Sequence, residues 1–214
     1  IIVTGNFDAT CKMEISAAAL RAVEVGKLKI RVKKHGGSAR ISHIKIYVGT
    51  ISGNISLSFS SDNQTVFLGD NTKGSYLIRL TRKSHVLIGK YTTSNGVKIY
   101  CDNSEFGCGE DCMFSSDILI QTSDQHGIVD LDSGNIINQG FNSVVSGDHV
   151  WLGRKSTLVA SATIGDGTII GTGALVSGSI PAKVIAVGTP ARVIRENHTW
   201  TRIPDKLDAY SLKF

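Results

Sequence analysis

Residues 146–177 read SGDHVWLGRKSTLVASATIGDGTIIGTGALVS, and this stretch repeats every six residues. One aliphatic residue recurs at the same place in each unit: Leu152, Leu158, Ile164, Ile170 and Val176. A small residue lies four places after each of the first four: Ser156, Ala162, Thr168 and Ala174. An α-helix turns every 3.6 residues or so, and it would not keep this repeat on one face. The repeat predicts a parallel β-helix, in which each short strand points one aliphatic side chain inward.

The chain outside this stretch divides into zones. We predict an all-β protein with a parallel β-helix over residues 41–195 and an N-terminal segment over residues 1–40. Within that segment a short helix is expected between Ile15 and Leu28. The repeat breaks over residues 123–143, which predicts an extruded loop. Since loops on rigid scaffolds carry functional sites, we expect the active site there. Residues 196–214 form a polar tail that we expect to cap the last coil.

Composition narrows the classes of function. No apolar run approaches the roughly 20 residues that span a bilayer, so we expect no membrane segment and a cytoplasmic protein. The formal net charge is +5, and part of it lies between Lys27 and Arg40. No aromatic cluster or known motif accompanies this basic stretch, so we expect no nucleic-acid partner. A solvated face and a surface for a phosphate-bearing ligand both remain open.

The four cysteines predict neither a disulfide framework nor a metal centre. Three of them crowd into twelve residues, at Cys101, Cys108 and Cys112, while Cys11 stands apart. The pair Cys108 and Cys112 has a spacing that zinc can use, but no second Cys or His pair follows at a matching distance. We therefore expect small buried residues at coil corners and no metal.

The interrupted region carries the residues suited to proton transfer. It contains His126, with Asp124 and Asp130 on either side, and the strand that re-enters the coil carries His149 and Trp151. A neutral imidazole can accept a proton at cellular pH. A neighbouring carboxylate can fix its tautomer and stabilise the imidazolium that forms. We therefore predict that His126 is a general base, with Asp124 or Asp130 as the carboxylate that orients it.

Three segments resemble a known family. Residues 113–126 read MFSSDILIQTSDQH, residues 147–153 read GDHVWLG and residues 180–195 read IPAKVIAVGTPARVIR. Together they resemble the hexapeptide-repeat acyltransferases, left-handed parallel β-helix proteins that use acetyl-coenzyme A. They are most similar to the branch that O-acetylates bacterial sugars, including capsular polysaccharide and sialic acid. The resemblance implies acetyl transfer to a saccharide hydroxyl of the capsule, lipopolysaccharide or sialic-acid type. It also implies a homotrimer with active sites between subunits.

The resemblance also implies roles for individual residues. It places His126 as the catalytic base and Trp151 as a residue that positions the acceptor or stabilises developing charge. An aromatic plug at a coil corner is the alternative for Trp151, and a solvated surface is the alternative for Lys155. The positions implied to line an acetyl-coenzyme A site are Gly153, Lys155, Ser161, Gly173, Ala174, Lys183, Pro190, Arg192 and Arg195.

Other functions remain open within and outside this family. The acceptor could be an amine of a nucleotide-linked sugar or of an antibiotic. A γ-type carbonic anhydrase would need three zinc histidines with one close pair, and His126, His149 and His198 lack that spacing. A non-enzymatic β-solenoid binding scaffold is a further alternative. This chain lacks the regular threonine ladder of ice-binding solenoids, and such a scaffold would have no use for a break that carries His126.

Overall fold

The structure, a computed structural model, describes all 214 residues and consists mainly of two parallel sheets wound into coils. The helices are α1 (Ala17–Glu24) and a 3-10 turn (Ser211–Lys213). The larger sheet contains β1 (Ile2–Thr4), β3 (Leu28–Lys34), β5 (Ile51–Phe59), β7 (Thr72–Thr81), β9 (Thr93–Asp102), β11 (Met113–Phe114), β12 (Ile118–Gln121), β14 (Trp151–Leu152), β15 (Thr157–Leu158), β17 (Ile169–Ile170), β18 (Leu175–Val176), β20 (Val184–Val187) and β21 (Arg192–Glu196). The smaller sheet contains β2 (Lys12–Ile15), β4 (Lys45–Val48), β6 (Thr65–Leu68), β8 (His85–Ile88), β10 (Ser104–Cys108), β13 (Asn142–Ser146), β16 (Thr163–Ile164) and β19 (Ser179–Ile180).

From β10 onwards each coil has three faces. The first face holds β11, β14, β17 and β20, the second holds β12, β15 and β18, and the third holds β10, β13, β16 and β19. We name three corners by the turns between these faces. The first corner (residues 109–112, 147–150, 165–168 and 181–183) leads into the first face. The second corner (residues 115–117, 153–156, 171–174 and 188–191) follows that face. The third corner (residues 102–103, 122–141, 159–162 and 177–178) precedes the third face.

The six-residue repeat is confirmed as the basis of the coils. Trp151 pairs with Ile169 in register, so one coil spans 169 − 151 = 18 residues, or three repeats. The five repeated aliphatic side chains from Leu152 to Val176 are all buried in the core. Burying each such side chain contributes about 1.5–3 kcal/mol to the stability of the fold. Because the same position is buried in successive repeats, these contributions add up along the β-helix.

The earlier coils contain more residues than the later ones, and glycine allows their long strands to bend. Lys73 pairs with Thr93, so this coil spans 93 − 73 = 20 residues. Strand β9 pairs with both β11 and β12, so it bends across the corner between two faces. At the same bend in the preceding coil, Gly74 has φ +115°, and a Cβ there would lie 1.8 Å from the Ser94 carbonyl oxygen. Only glycine has both the backbone freedom and the room that this bend requires.

The N-terminal residues join the same sheets. Strand β1 pairs with β3, β3 pairs with β5, and β2 pairs with β4, all in parallel. The predicted helix is present as α1, and the Ser16 hydroxyl caps it by accepting the Ala19 N–H at 3.1 Å. It is shorter than predicted because Gly26, with φ +74°, ends it and Leu28 begins β3. No helix in the structure has the length and apolar character needed to cross a membrane.

The tail, residues 196–214, lies along the side of the β-helix, whereas we expected it to cap the last coil. The last coil is covered instead by β21, which pairs antiparallel with β20. The tail then runs back along the first corner. Thr199 donates to the Gly167 carbonyl at 3.0 Å, Trp200 stacks on His149, and Tyr210 lies 5.9 Å from Tyr91 between ring centroids. Aromatic side chains of the tail therefore find their partners on several coils rather than on the terminal one.

Candidate active site

His126 lies in a polar cavity at the third corner, where the extruded loop leaves the coil. The cavity has a volume of about 370 Å³. Side chains that line it with His126 come from the loop itself, from the turn at residues 102–103, from Arg82 on the coil before, and from Asn142 at the start of β13. The His126 ring is exposed and makes no hydrogen bond within the chain. A ring nitrogen is therefore free to accept a proton from a bound molecule.

Asn138 fastens the two arms of the loop around His126. Its Nδ2 donates to Asp124 Oδ2 and to the His126 carbonyl oxygen, both at 2.8 Å. Its Oδ1 accepts the Ile128 N–H at 2.8 Å. One side chain thus ties down three residues next to the candidate base. Sequence reasoning missed Asn138 because nothing in the local pattern shows which residue on the returning arm faces His126.

The two aspartates proposed to orient His126 have other partners. Asp124 accepts from Asn138, and no hydrogen bond joins it to the His126 ring. Asp130 accepts from the backbone N–H groups of Asp132 and Ser133 and from the Ser133 hydroxyl, so it closes its own turn. These hydrogen bonds lower the pKa of Asp130. A role for Asp124 in orienting His126 stays a prediction.

A second carboxylate, Asp102, shares the cavity with His126. It forms a two-point ion pair with Arg82, with Nε–Oδ1 at 2.6 Å and Nη2–Oδ2 at 2.8 Å. Partial burial opposes ionisation, but hydrogen bonds from Arg82 and Thr81 outweigh it, and the nearby His126 adds to the effect, so the pKa of Asp102 is lowered. Sequence reasoning missed this pair, because Arg82 and Asp102 are brought together only by the stacking of two wide coils.

Trp151 lies on the first face and does not line the His126 cavity. It is half-buried, and its indole Nε1 donates to Ser115 Oγ at 3.3 Å. Its ring centroid lies 6.1 Å from that of Trp200 in the tail. One chain therefore does not bring the predicted base and Trp151 together. Both interpretations of Trp151, acceptor contact and corner plug, stay open.

His149 is buried at the first corner under the tail. Its Nδ1 lies 2.7 Å from Asp111 Oδ2, and its Nε2 lies 2.8 Å from the Trp200 carbonyl oxygen. The indole of Trp200 stacks on the imidazole with centroids 4.1 Å apart, and its Nε1 donates to the His149 carbonyl. Arg202 Nε donates to Asp111 Oδ1 at 2.8 Å. This histidine belongs to a structural network that fixes the tail.

The residues proposed to line an acetyl-coenzyme A site are spread over the β-helix. Four of them share the second corner: Gly153, Lys155, Gly173 and Pro190. Ala174 lies at the same corner, and its side chain is fully buried. Ser161 lies at the third corner, and Lys183 lies at the first corner near Phe214. Arg192 and Arg195 are exposed on β21.

The cysteines lie in or beside the core. Burial raises the pKa of the Cys101 thiol to about 12 and that of Cys112 well above its ordinary value. Cys108 and Cys112 are both buried, and Cys112 Sγ lies 3.3 Å from the Gly147 carbonyl oxygen. No group of three or more His, Cys, Asp and Glu side chains is placed to hold a metal ion.

Comparison with known proteins finds O-acetyltransferases. No protein-family model matches the chain. It is 33% identical over 142 residues to a polysialic acid O-acetyltransferase of Escherichia coli O1:K1 / APEC, which covers 66% of the chain and 46% of the relative. It is 32% identical over 120 residues to a polysialic acid O-acetyltransferase of Neisseria meningitidis, and the match covers 53% of the chain and 54% of the relative. The chain thus spans about half the length of these curated relatives.

The fold is shared with a solved structure of the same kind. The polysialic acid-specific acetyltransferase NeuO superposes with a TM-score of 0.77 at 26% identity, over 96% of this chain and 89% of that one. The parallel coils, the hexapeptide repeat and these similarities agree with one another. The chain is similar in sequence to the polysialic acid O-acetyltransferases and has the left-handed parallel β-helix fold of the hexapeptide-repeat acyltransferases.

Proposed function

We propose that this protein transfers an acetyl group from acetyl-coenzyme A to a hydroxyl of a bacterial capsular saccharide. The observation that carries the proposal is the cavity at the third corner, where the unpartnered imidazole of His126 is surrounded by polar side chains. Amide groups suit the hydroxyls of a sugar, and an unpartnered imidazole suits the removal of a hydroxyl proton. The names of the two relatives, both polysialic acid O-acetyltransferases, support a saccharide acceptor.

In the proposed reaction His126 acts as the general base. Its imidazole takes the proton of the acceptor hydroxyl while that oxygen bonds to the carbonyl carbon of the thioester. The carbon–sulfur bond then breaks, and the imidazolium returns the proton to the departing thiolate, so protons balance. A carboxylate nearby stabilises the imidazolium between these steps. Cysteine does not serve as a nucleophile in this scheme, because the thiols nearest the loop are buried and held protonated.

The second corner fits the acetyl donor. Lys155, Thr172 and Gly173 are exposed at this corner, and a Cβ added at Gly173 would meet nothing within 4 Å. Lys155 at this corner and Arg192 and Arg195 on β21 are exposed cations. Guanidinium and ammonium groups both bind phosphate oxygens, so these three residues would hold the phosphates of coenzyme A. The donor supplies the activated acetyl group.

We also propose that the complete site forms between copies of this chain in a homotrimer. His126 lies at the third corner, whereas Gly153, Lys155, Gly173 and Pro190 lie at the second, so one chain does not join them. The extruded loop exposes apolar side chains to solvent, with Leu131 92% and Ile137 64% exposed. Apolar side chains exposed this far on one loop are typical of a surface that another subunit covers.

The proposed function is tested by incubating the protein with acetyl-coenzyme A and purified bacterial saccharides. Mass spectrometry should show a gain of acetyl on a saccharide hydroxyl that mild base removes, since esters hydrolyse readily and amides do not. Acetyl that survives mild base would indicate an N-acetyltransferase instead. Hydrolysis of acetyl-coenzyme A without any acceptor product, across capsular and lipopolysaccharide glycans, would contradict the proposal.

A further inference from the structure

Arg82 is the one Lys or Arg side chain that lines the His126 cavity. A guanidinium group has five N–H donors in a planar fork. Asp102 accepts one from Nε and one from Nη2, and no other residue accepts from Arg82. The side chain is 63% exposed. Three donors of a permanent cation are therefore available in the cavity of the candidate base.

Asp102 holds this cation in place. Its side chain is only 10% exposed, at the end of β9, and its backbone N–H donates to Ser104 Oγ at 3.0 Å. The two-point contact fixes one edge of the guanidinium and directs the remaining donors away from the core. A side chain already held in one geometry loses little conformational entropy when it binds a ligand.

The other lining groups complement Arg82. Neutral amides dominate: Asn103, Gln125, Asn138, Gln139 and Asn142. Amides hydrogen-bond to hydroxyls but supply no charge, so Arg82 is the feature of the cavity that distinguishes an anionic acceptor from a neutral one. Of the two carboxylates there, Asp102 is ion-paired with one edge of the Arg82 guanidinium, and Asp124 accepts from Asn138.

We infer that Arg82, positioned by Asp102, binds a carboxylate of the acceptor and selects saccharides that carry one near the reacting hydroxyl. This inference rests on the proposed function and narrows its substrate class to acidic saccharides. Arg82 is then a specificity-determining residue and Asp102 its positioning residue. A phosphate of the acetyl donor is the other anion that could reach Arg82, and the test separates the two. A purely structural role, joining two neighbouring coils, is the remaining alternative.

The test compares Arg82→Gln with the wild type and with Lys83→Gln, which removes the adjacent exposed cation that does not line the cavity. The acceptors are a sialic acid oligomer and the same oligomer with its carboxylates reduced to alcohols. The wild type should prefer the carboxylated oligomer. Arg82→Gln should lower kcat/KM for it by about tenfold or more, the effect of losing a charged hydrogen bond. The reduced oligomer and the KM for acetyl-coenzyme A should be unaffected, and Lys83→Gln should behave as wild type.

Other outcomes would overturn the inference. An equal loss on both oligomers indicates a structural role, and a raised KM for acetyl-coenzyme A assigns Arg82 to the donor. Asp102→Asn should weaken the same preference by less than Arg82→Gln, and Arg82→Lys should restore part of it; melting curves identify any variant that fails to fold. If the wild type acetylates neither oligomer, the proposed function fails for this acceptor. Calorimetric binding of the two oligomers to wild type and Arg82→Gln then decides the role of Arg82 separately.

Discussion

The corners that hold His126 and His149 differ in how their polar groups are satisfied. At the third corner the His126 ring is exposed and has no partner in the chain. At the first corner His149 is fully buried, and both ring nitrogens are engaged, by Asp111 and by the Trp200 carbonyl. A carbonyl only accepts, so Nε2 of His149 carries a proton and offers no lone pair. The same residue type is thus left available to a ligand at the third corner and is held in a buried hydrogen-bond network at the first.

The most direct test of this difference between the two corners is to replace His126, the exposed histidine. His126→Ala should lower acetyl transfer by about 10²- to 10⁴-fold, the range for loss of a general base, because no other imidazole lines the cavity. Stability should hardly change, since the ring has no partner. Transfer is followed by release of free coenzyme A and folding by thermal melting. His198→Ala, which removes another exposed histidine, is the control and should keep full activity. Full activity in the His126 variant would refute its role.

Replacing His149, the buried histidine, should mainly lower the stability of the protein. His149→Ala leaves the Trp200 carbonyl without its partner and the Asp111 carboxylate with Arg202 alone, and it opens a cavity under the tail. We expect a loss of about 3 kcal/mol in the free energy of unfolding, as for other broken buried pairs. Chemical denaturation measures it, with His126→Ala as the matched substitution at the third corner. Equal stability of the two variants would show that the tail network contributes nothing.

A smaller effect should follow from loosening the loop around the third corner. Asn138→Ala removes three hydrogen bonds next to His126. We expect kcat to fall about tenfold, because the imidazole is then less well placed, with a smaller change in melting temperature. Asn135→Ala on the same loop is the control, since the Asn135 side chain makes no hydrogen bond. Similar losses in both variants would mean that Asn138 has no special role.

The smallest effect that we expect is a loosening of the tail at the first corner in acid. Burial opposes ionisation of Asp208, but hydrogen bonds from Ser211, the Arg202 backbone and Thr201 outweigh it and lower the pKa of this carboxyl. Asp208 therefore stabilises the docked tail at pH values above its ordinary pKa of 3.8, and this stability is lost as the pH falls towards the lower folded-state value. Fluorescence of Trp200 should report loosening of the tail below about pH 4. Asp208→Asn should show a weaker dependence on pH in that range, and an unchanged profile would contradict this account.

Much of the third corner, which holds His126, was predictable from the sequence, and much of the first corner, which holds His149, was not. The repeat from Leu152 to Val176 predicted the coils, and its interruption predicted the loop that carries His126. The partners of His126 were harder to predict. Asp124 or Asp130 was predicted to orient the imidazole, and this role of Asp124 stays a prediction. The hydrogen bond from Asn138 to Asp124 and the presence of Asp102 and Arg82 in the same cavity were not predicted. These contacts depend on how the returning arm folds and on the width of the early coils.

By itself the sequence determined the β-helix, the place of its break and the candidate base, because each coil contacts its neighbours at a nearly constant separation along the chain. That regularity makes position in the repeat equivalent to position in space. Only the tertiary structure decided which histidine is exposed and which is buried. Asp111, His149, Trp200 and Arg202 meet across separations of 38 to 91 residues. The tail and loop follow no repeat, so their path is determined by burial and hydrogen bonding among side chains that only the folded chain brings together.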